Sequence, residues 1–173
     1  ASGSDIGKIR IWEVLPSGEE KILHNGHWEE TAEDSTETRG FFIEDDGGFQ
    51  KPMEYWIGAM VFTPDAKMLI TGSRDNTIRF FEMPTMNELR VVRGHNGWVR
   101  SLVVSPDGKV LISAGDDSTI RFWDIATGRN FRTDKTHGGA VRGIALSPDG
   151  LRLASASWDR TVKLWEGGVE PAE

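Results

Sequence analysis

Serine, histidine and aspartate recur at fixed distances along this chain, the first arrangement in it that could carry chemistry. His95, Ser113 and Asp117 form one set and His137, Ser155 and Asp159 a second, each member displaced by 42 residues. An imidazole set between a hydroxyl and a carboxylate is the equipment of a serine hydrolase. Three features argue against that chemistry. The set repeats with the period, each serine lies in a strand-forming run rather than in a strained nucleophile turn, and no oxyanion-hole element follows it. With no cysteine, four histidines and no paired acids at a recognisable spacing, nothing else points to catalysis, to a metal or to a cofactor. The expectation is a protein that is not an enzyme and needs no cofactor.

The elements that position these residues follow from the same period. Thr71 to Phe81 returns as Ser113 to Trp123 and again as Ser155 to Trp165, and a truncated copy, Ser2 to Trp12, opens the chain. A period of this length means a repeat architecture. Phe81 lies 69 positions after Trp12, about 27 more than one period. One period resolves into four short strands. Val99 to Val104 is mostly apolar and ends at Ser105-Pro106-Asp107-Gly108, where proline presets φ and Asp-Gly accepts a tight turn. Val110 to Ala114, Thr119 to Trp123 and Arg129 to Arg132 follow, separated by polar turns and rich in β-branched or aromatic residues. Such a sheet has two apolar faces and needs a neighbour on each, which radial stacking supplies. The fold class is therefore all-β, a partial propeller of about three to three and a half blades. The domain reading is a partial blade over 1–23 (strands near 8–14 and 19–23), an acidic insertion loop over 24–52, blades over 53–93 and 94–135, a last blade over 136–166 lacking its outer strand, and a tail over 167–173.

Charge divides the chain. Residues 1–56 hold 13 acids and 5 bases, whereas residues 57–166 hold 12 acids and 15 bases, within a net charge of -7. The acids of the insertion, Glu29, Glu30, Glu33, Asp34, Glu37, Glu44, Asp45 and Asp46, lie among Ser, Thr and Gly and read as a solvated loop. A nucleic-acid binder would want a strong basic patch instead. No run approaches a membrane span and no signal peptide opens the chain, so the cytoplasm is the expected location, with the nucleus as the alternative. The chain lacks an initiating Met and begins where a strand should have ended, which reads as a piece of something longer.

Gly94-His95, Ser105-Pro106-Asp107-Gly108, Asp117 and Trp123-Asp124, followed by His137, Ser147-Pro148-Asp149-Gly150, Asp159 and Trp165-Glu166, resemble the signature of the WD-repeat β-propellers. Aligning 94–125 on 136–167 leaves 14 of 32 positions identical. The spacing is similar in particular to the arrays of NACHT-type signalling proteins of fungi and bacteria. The resemblance implies a buried structural network in each blade, made by His95, Ser113, Asp117 and Trp123 and again by His137, Ser155, Asp159 and Trp165. There the histidine bridges the acidic turn to the hydroxyl, and the indole N–H donates to that hydroxyl. In the preceding blade Thr71 and Asp75 match, but Phe81 stands for Trp and Met53 for His, so that network is expected to stay open. In resembling proteins the N-terminal strand of the ring supplies the missing outer strand of the last blade.

The resemblance also implies function by recognition, on the rim of the narrow channel mouth. Mapping by the period gives Trp56, Trp98 and Ala140 at one rim position, Gly58, Arg100 and Arg142 at a second, and Arg74, Asp116 and Trp158 at a third. Three Trp and three Arg are the residue types that dominate binding hot spots. The expected function is a non-catalytic scaffold that binds a protein or peptide through Trp56, Arg74, Trp98, Arg100, Asp116, Arg142 and Trp158, with self-association to complete a ring as a further possibility. A carbohydrate-binding propeller and a ubiquitin-ligase substrate receptor are the alternatives. The Trp-Asp-x-Arg of many such receptors is absent, since Trp123-Asp124-Ile125 runs into Ala126. Trp12, Trp123, Trp165, Val99, Leu102, Val104, Leu111, Ile120, Phe122, Val141, Ile144, Leu146, Leu153, Val162 and Leu164 are the expected core.

Overall fold

The computed structural model describes residues 56–167 and four short strands nearer the N-terminus. Those four are β1 (Ser2–Gly3), β2 (Ile9–Arg10), β3 (Ile22–His24) and β4 (His27–Glu29). A four-stranded antiparallel sheet follows, in the order β5 (Ile57–Phe62), β6 (Met68–Ser73), β7 (Thr77–Glu82) and β8 (Glu88–Arg93). The next has β9 (Val99–Val104), β10 (Val110–Gly115), β11 (Ile120–Asp124) and β12 (Asn130–Asp134). The last has three strands, β13 (Val141–Leu146), β14 (Arg152–Ser157) and β15 (Val162–Glu166). Every connection joins sequence neighbours, the up-and-down order of a propeller blade.

The period of the sequence is also the period of the register. Thr71 faces Arg79, Ser113 faces Arg121 and Ser155 faces Lys163. Ser2 faces Arg10 in the same register. Most of the expected strands near 8–14 and 19–23 lie outside the described residues. β3 and β4 pair as a hairpin in which Leu23 faces Trp28, and the rest of the expected insertion lies outside the described residues. Trp12 and Met53 lie outside the described residues.

Blades are held by stacking. Ile70, Ile78 and Phe80 of one sheet pack with Val99, Leu102, Leu111 and Trp123 of the next. Ile112, Ile120 and Phe122 pack in turn with Val141, Ile144 and Leu153. Ser101 ties two innermost strands together by accepting the Ile144 N–H at 3.1 Å. Val104, Leu146 and Trp165 are half-buried rather than buried. Val162 and Leu164 overturn the core expectation outright. They occupy the places of Ile120 and Phe122, which are 1% and 2% exposed, yet they are themselves 71% and 76% exposed. Among the described residues no blade covers β15, so these side chains meet water.

The strand-connecting turns explain the Ser-Pro-Asp-Gly motif. Ser105 Oγ donates to Asp107 at 2.5 Å and accepts the Val110 N–H at 2.9 Å, and Gly108 adopts φ 73°. Gly150 repeats this at φ 74°, but the third copy of the turn places Ala66 at φ 56°. A side chain there costs about 1–2 kcal/mol, partly offset by the lower unfolded-state entropy of Ala. Ala66→Gly should therefore stabilise the protein by about 0.5–1 kcal/mol, read as a higher urea midpoint. A lower midpoint would contradict this account.

Candidate functional site

The turn joining the second and third strand of each blade builds two layers, one buried and one facing out. Its aspartate lies in a tight turn closed by Asn76 N–H to Ser73 O, Ser118 N–H to Gly115 O and Arg160 N–H to Ser157 O. A threonine two residues on donates to each carboxylate: Thr77 to Asp75 at 2.7 Å, Thr119 to Asp117 at 2.8 Å and Thr161 to Asp159 at 2.6 Å. Short polar side chains that bond their own backbone favour such turns.

Beneath the turn, the histidines close the network. His95 Nδ1 lies 3.0 Å from both carboxylate oxygens of Asp117, and its Nε2 lies 2.7 Å from Ser113 Oγ. The Trp123 indole N–H donates to the same hydroxyl at 2.8 Å. A carboxylate only accepts, so Nδ1 carries a proton, and Ser113, which accepts from the indole, can give its own hydroxyl proton to Nε2. His137, Asp159, Ser155 and Trp165 repeat the contacts at 2.8, 2.8 and 3.1 Å. Ser113 is fully buried and Ser155 is 1% exposed, so no substrate reaches either hydroxyl and the trio is not a hydrolase site.

The blade lacking this histidine and tryptophan uses a substitute. Asp75 is held by Thr77 and by the Arg79 guanidinium at 3.3 Å, and Arg79 also donates to Glu88 at 2.8 Å. Phe81 fills the place of Trp at 1% exposure. Sequence reasoning left this aspartate without partners because it looked only for the histidine. The basic residue four after each turn aspartate was the available signal, and Arg121 likewise approaches Asp117 at 3.7 Å.

Facing outward, the residue before each turn aspartate is fastened to the start of its blade's first strand. Arg74 N–H donates to Trp56 O at 2.8 Å, Asp116 N–H to Trp98 O at 2.9 Å and Trp158 N–H to Ala140 O at 2.9 Å. Beside them, each first strand carries one extra residue: Ile57 and Ala59 face the adjacent Ser73 and Gly72, Val99 and Ser101 face Gly115 and Ala114, and Val141 and Gly143 face Ser157 and Ala156. The residues left over are Gly58, Arg100 and Arg142. A bulge re-aims its side chain, which is why these positions reach the blade end although they lie within strands.

The seven expected rim residues form one continuous chain of contacts across three blades. Trp56 meets Trp98 edge-on at 6.1 Å. Arg74 lies 5.0 Å from the Trp56 ring and 5.6 Å from that of Trp98, while Arg100 lies 3.5 Å from the latter. Arg100 grips Asp116 through two bonds of 2.8 and 2.6 Å, Arg142 reaches the same carboxylate at 3.2 Å, and Arg142 lies 4.3 Å from the Trp158 ring. The Arg100 hydrogen bonds first, then the charges of Arg100 and Arg142, hold the Asp116 carboxyl below its ordinary range despite partial burial. Ala140 is buried and takes no part. Trp98 is half-buried, and a Cβ at Gly58 would run into its indole. Glycine there makes room for the wedge. Trp56 and Trp158 are 40% and 68% exposed. Among the described residues no group of three or more acids or histidines is arranged to hold a metal ion, and no helix is long and apolar enough to cross a membrane.

This architecture is that of a repeat protein assembled from propeller blades. The family model "WD domain, G-beta repeat" matches residues 51–82, 86–124 and 128–166, and the chain belongs to the WD-repeat family. It is similar to a structure of U3-55K and to a crystal structure of the WD40 repeats of RRP9. Each is 28% identical with a TM-score of 0.64, over 67% of this chain and 37% of the other. The chain thus spans little more than a third of the length of those structures. No curated protein sequence matches it.

The buried layer generates a test with a definite sign. Burial would push the Asp117 carboxyl up, but hydrogen bonds from His95, the Asn96 N–H and Thr119 hold it well below the usual carboxylate range. A depressed carboxylate stabilises the fold above its unfolded-state pKa, and that contribution fades as pH falls below about 5. Asp117→Asn should cost about 1–3 kcal/mol at pH 7 by urea denaturation, and the gap to the parent protein should narrow at pH 3. A gap that stays constant between the two would refute the assignment.

Proposed function

We propose that this chain is part of a protein-interaction scaffold and that its partner binds the surface made by Trp56, Arg74, Trp98, Arg100, Asp116, Arg142 and Trp158. The observation that carries the reading is the unbroken Trp–Arg–Asp–Arg–Trp chain of contacts spanning three blades. Membership of the WD-repeat family supports protein binding in general. The rim residues are rigid, because each is fixed by a backbone bond or a bulge, and rigid Trp and Arg lose little entropy on docking. A sugar-binding reading receives no support from the rings, because each of the three already carries an arginine. Site-specific photo-crosslinking tests the proposal. A benzophenone side chain at position 158 or 56 should give protein adducts in cells that make the protein, and one at the exposed Ala126 turn should not. Equal adducts from all three positions would sink it.

The open face of the last sheet supports a second interaction. Leu164 and Val162 hold positions that stacking buries in the neighbouring blade, so a further blade-like sheet covers them in the assembled protein, supplied by more repeats or by a second copy. Light scattering of the 19.2 kDa chain should then show association that Leu164→Glu abolishes. A monodisperse monomer with native Leu164 would rule out the second copy and leave further repeats as the cover.

A further inference from the structure

We propose that the rim is built for an acidic peptide, with a ligand carboxylate seated on the N–H edge of Arg74. This rests on the rim being the binding surface and adds the chemistry of what binds. Three arginines and one aspartate line the rim, a formal balance of +2 (three minus one). Asp116 is shared between Arg100 and Arg142, so one carboxylate serves two guanidinium groups. Arg74 has none. Among the described residues no acidic group lies within ion-pair distance of it, and its contacts are the rings of Trp56 and Trp98.

Those rings decide the sign of the ligand. The face of an aromatic ring attracts cations, but Trp56, Trp98 and Trp158 each carry an arginine of the protein itself. A cationic ligand would compete for those faces and meet like charge. An anionic one meets the N–H edge of a planar, permanently charged group already oriented by stacking, and such a fork matches a carboxylate with two parallel bonds. Exposed Trp56 and Trp158 at the two ends offer apolar area for the side chains flanking the acids. Charge complementarity and exposed aromatic area together define a short acidic peptide with apolar neighbours.

Selection from a random peptide display library on the intact protein tests this. The recovered pool should be enriched in Asp and Glu beside apolar residues. A synthetic copy of a selected peptide should lose about tenfold or more in affinity when its acids become amides. Arg74→Gln should cause a similar loss for the acidic peptide and little for the amide copy, and Arg74→Lys an intermediate one. Arg129→Gln, an exposed charge on a distant turn, should change nothing, and all variants should melt with the parent protein. A pool of neutral or basic peptides whose binding still needs Trp158 would overturn the acidic assignment and leave the rim as the binding surface. Equal losses from Arg74→Gln and Arg129→Gln would reduce the effect to net charge and overturn it too. No recovered peptides, or binding indifferent to Trp158→Ala, would overturn both readings.

Discussion

A four-stranded sheet with apolar side chains on both faces must be covered twice, and the rest of this structure depends on that requirement. Ile120 and Phe122 vanish from solvent because the strand starting at Val141 stacks on them, whereas their counterparts Val162 and Leu164 lie open. The residue types are equivalent and only the neighbour differs. Burial of a Val or Leu side chain is worth about 1.5–3 kcal/mol, so each blade holds its predecessor in place. Stacking also fixes the spacing of the blade ends, and this brings Trp56, Trp98 and Trp158 from three sheets onto one surface.

Polar groups follow a similar economy with more freedom. The turn aspartate must be satisfied, because an unpaired buried acceptor costs about 1–3 kcal/mol, but the partner can change. His95 and His137 serve two blades, and Arg79 serves the third. Phe81 fills the indole's volume without its N–H, and Thr71 in turn has no indole to bond. Shape is kept and the hydrogen-bond donor moves to another residue. A blade can therefore lose the histidine of its motif and keep the turn that displays the rim.

Much of this was legible in the sequence. The period fixed the strands, the register of Thr71, Ser113 and Ser155, and the two histidine networks, since each depends on local residue order. The three rim columns were legible by the same shift. What remained hidden depends on contacts between copies that periodicity treats as equal. Val162 and Leu164 looked like core because their type matches Ile120 and Phe122, and no local signal tells a covered face from an open one. Arg100 and Arg142 were legible as rim positions by the shift alone, but the bulge that turns them toward the blade end was not, because a bulge shows only in the partner strand's register. The stacking of Arg74 between two tryptophans joins residues of adjacent blades and needs the actual interblade distance.

That interblade distance gives the rim its chemical character. Isolated on a surface, an arginine is a mobile, well-hydrated charge whose pairing is worth well under about 1 kcal/mol. Here the bulges and the turn bonds leave little freedom, and the rings remove most of what remains. The one aspartate is committed to Arg100 and Arg142 from neighbouring blades, so it stiffens the surface and neutralises one charge of three. Substituting it would release both guanidinium groups, raise the positive charge and loosen the geometry together. Affinity for anions and selectivity among them would then move in opposite directions, because long-range attraction grows with charge while discrimination depends on fixed forks. A surface that keeps both an excess of arginine and a carboxylate bracing it would, as the proposed binding face, favour discrimination over general attraction.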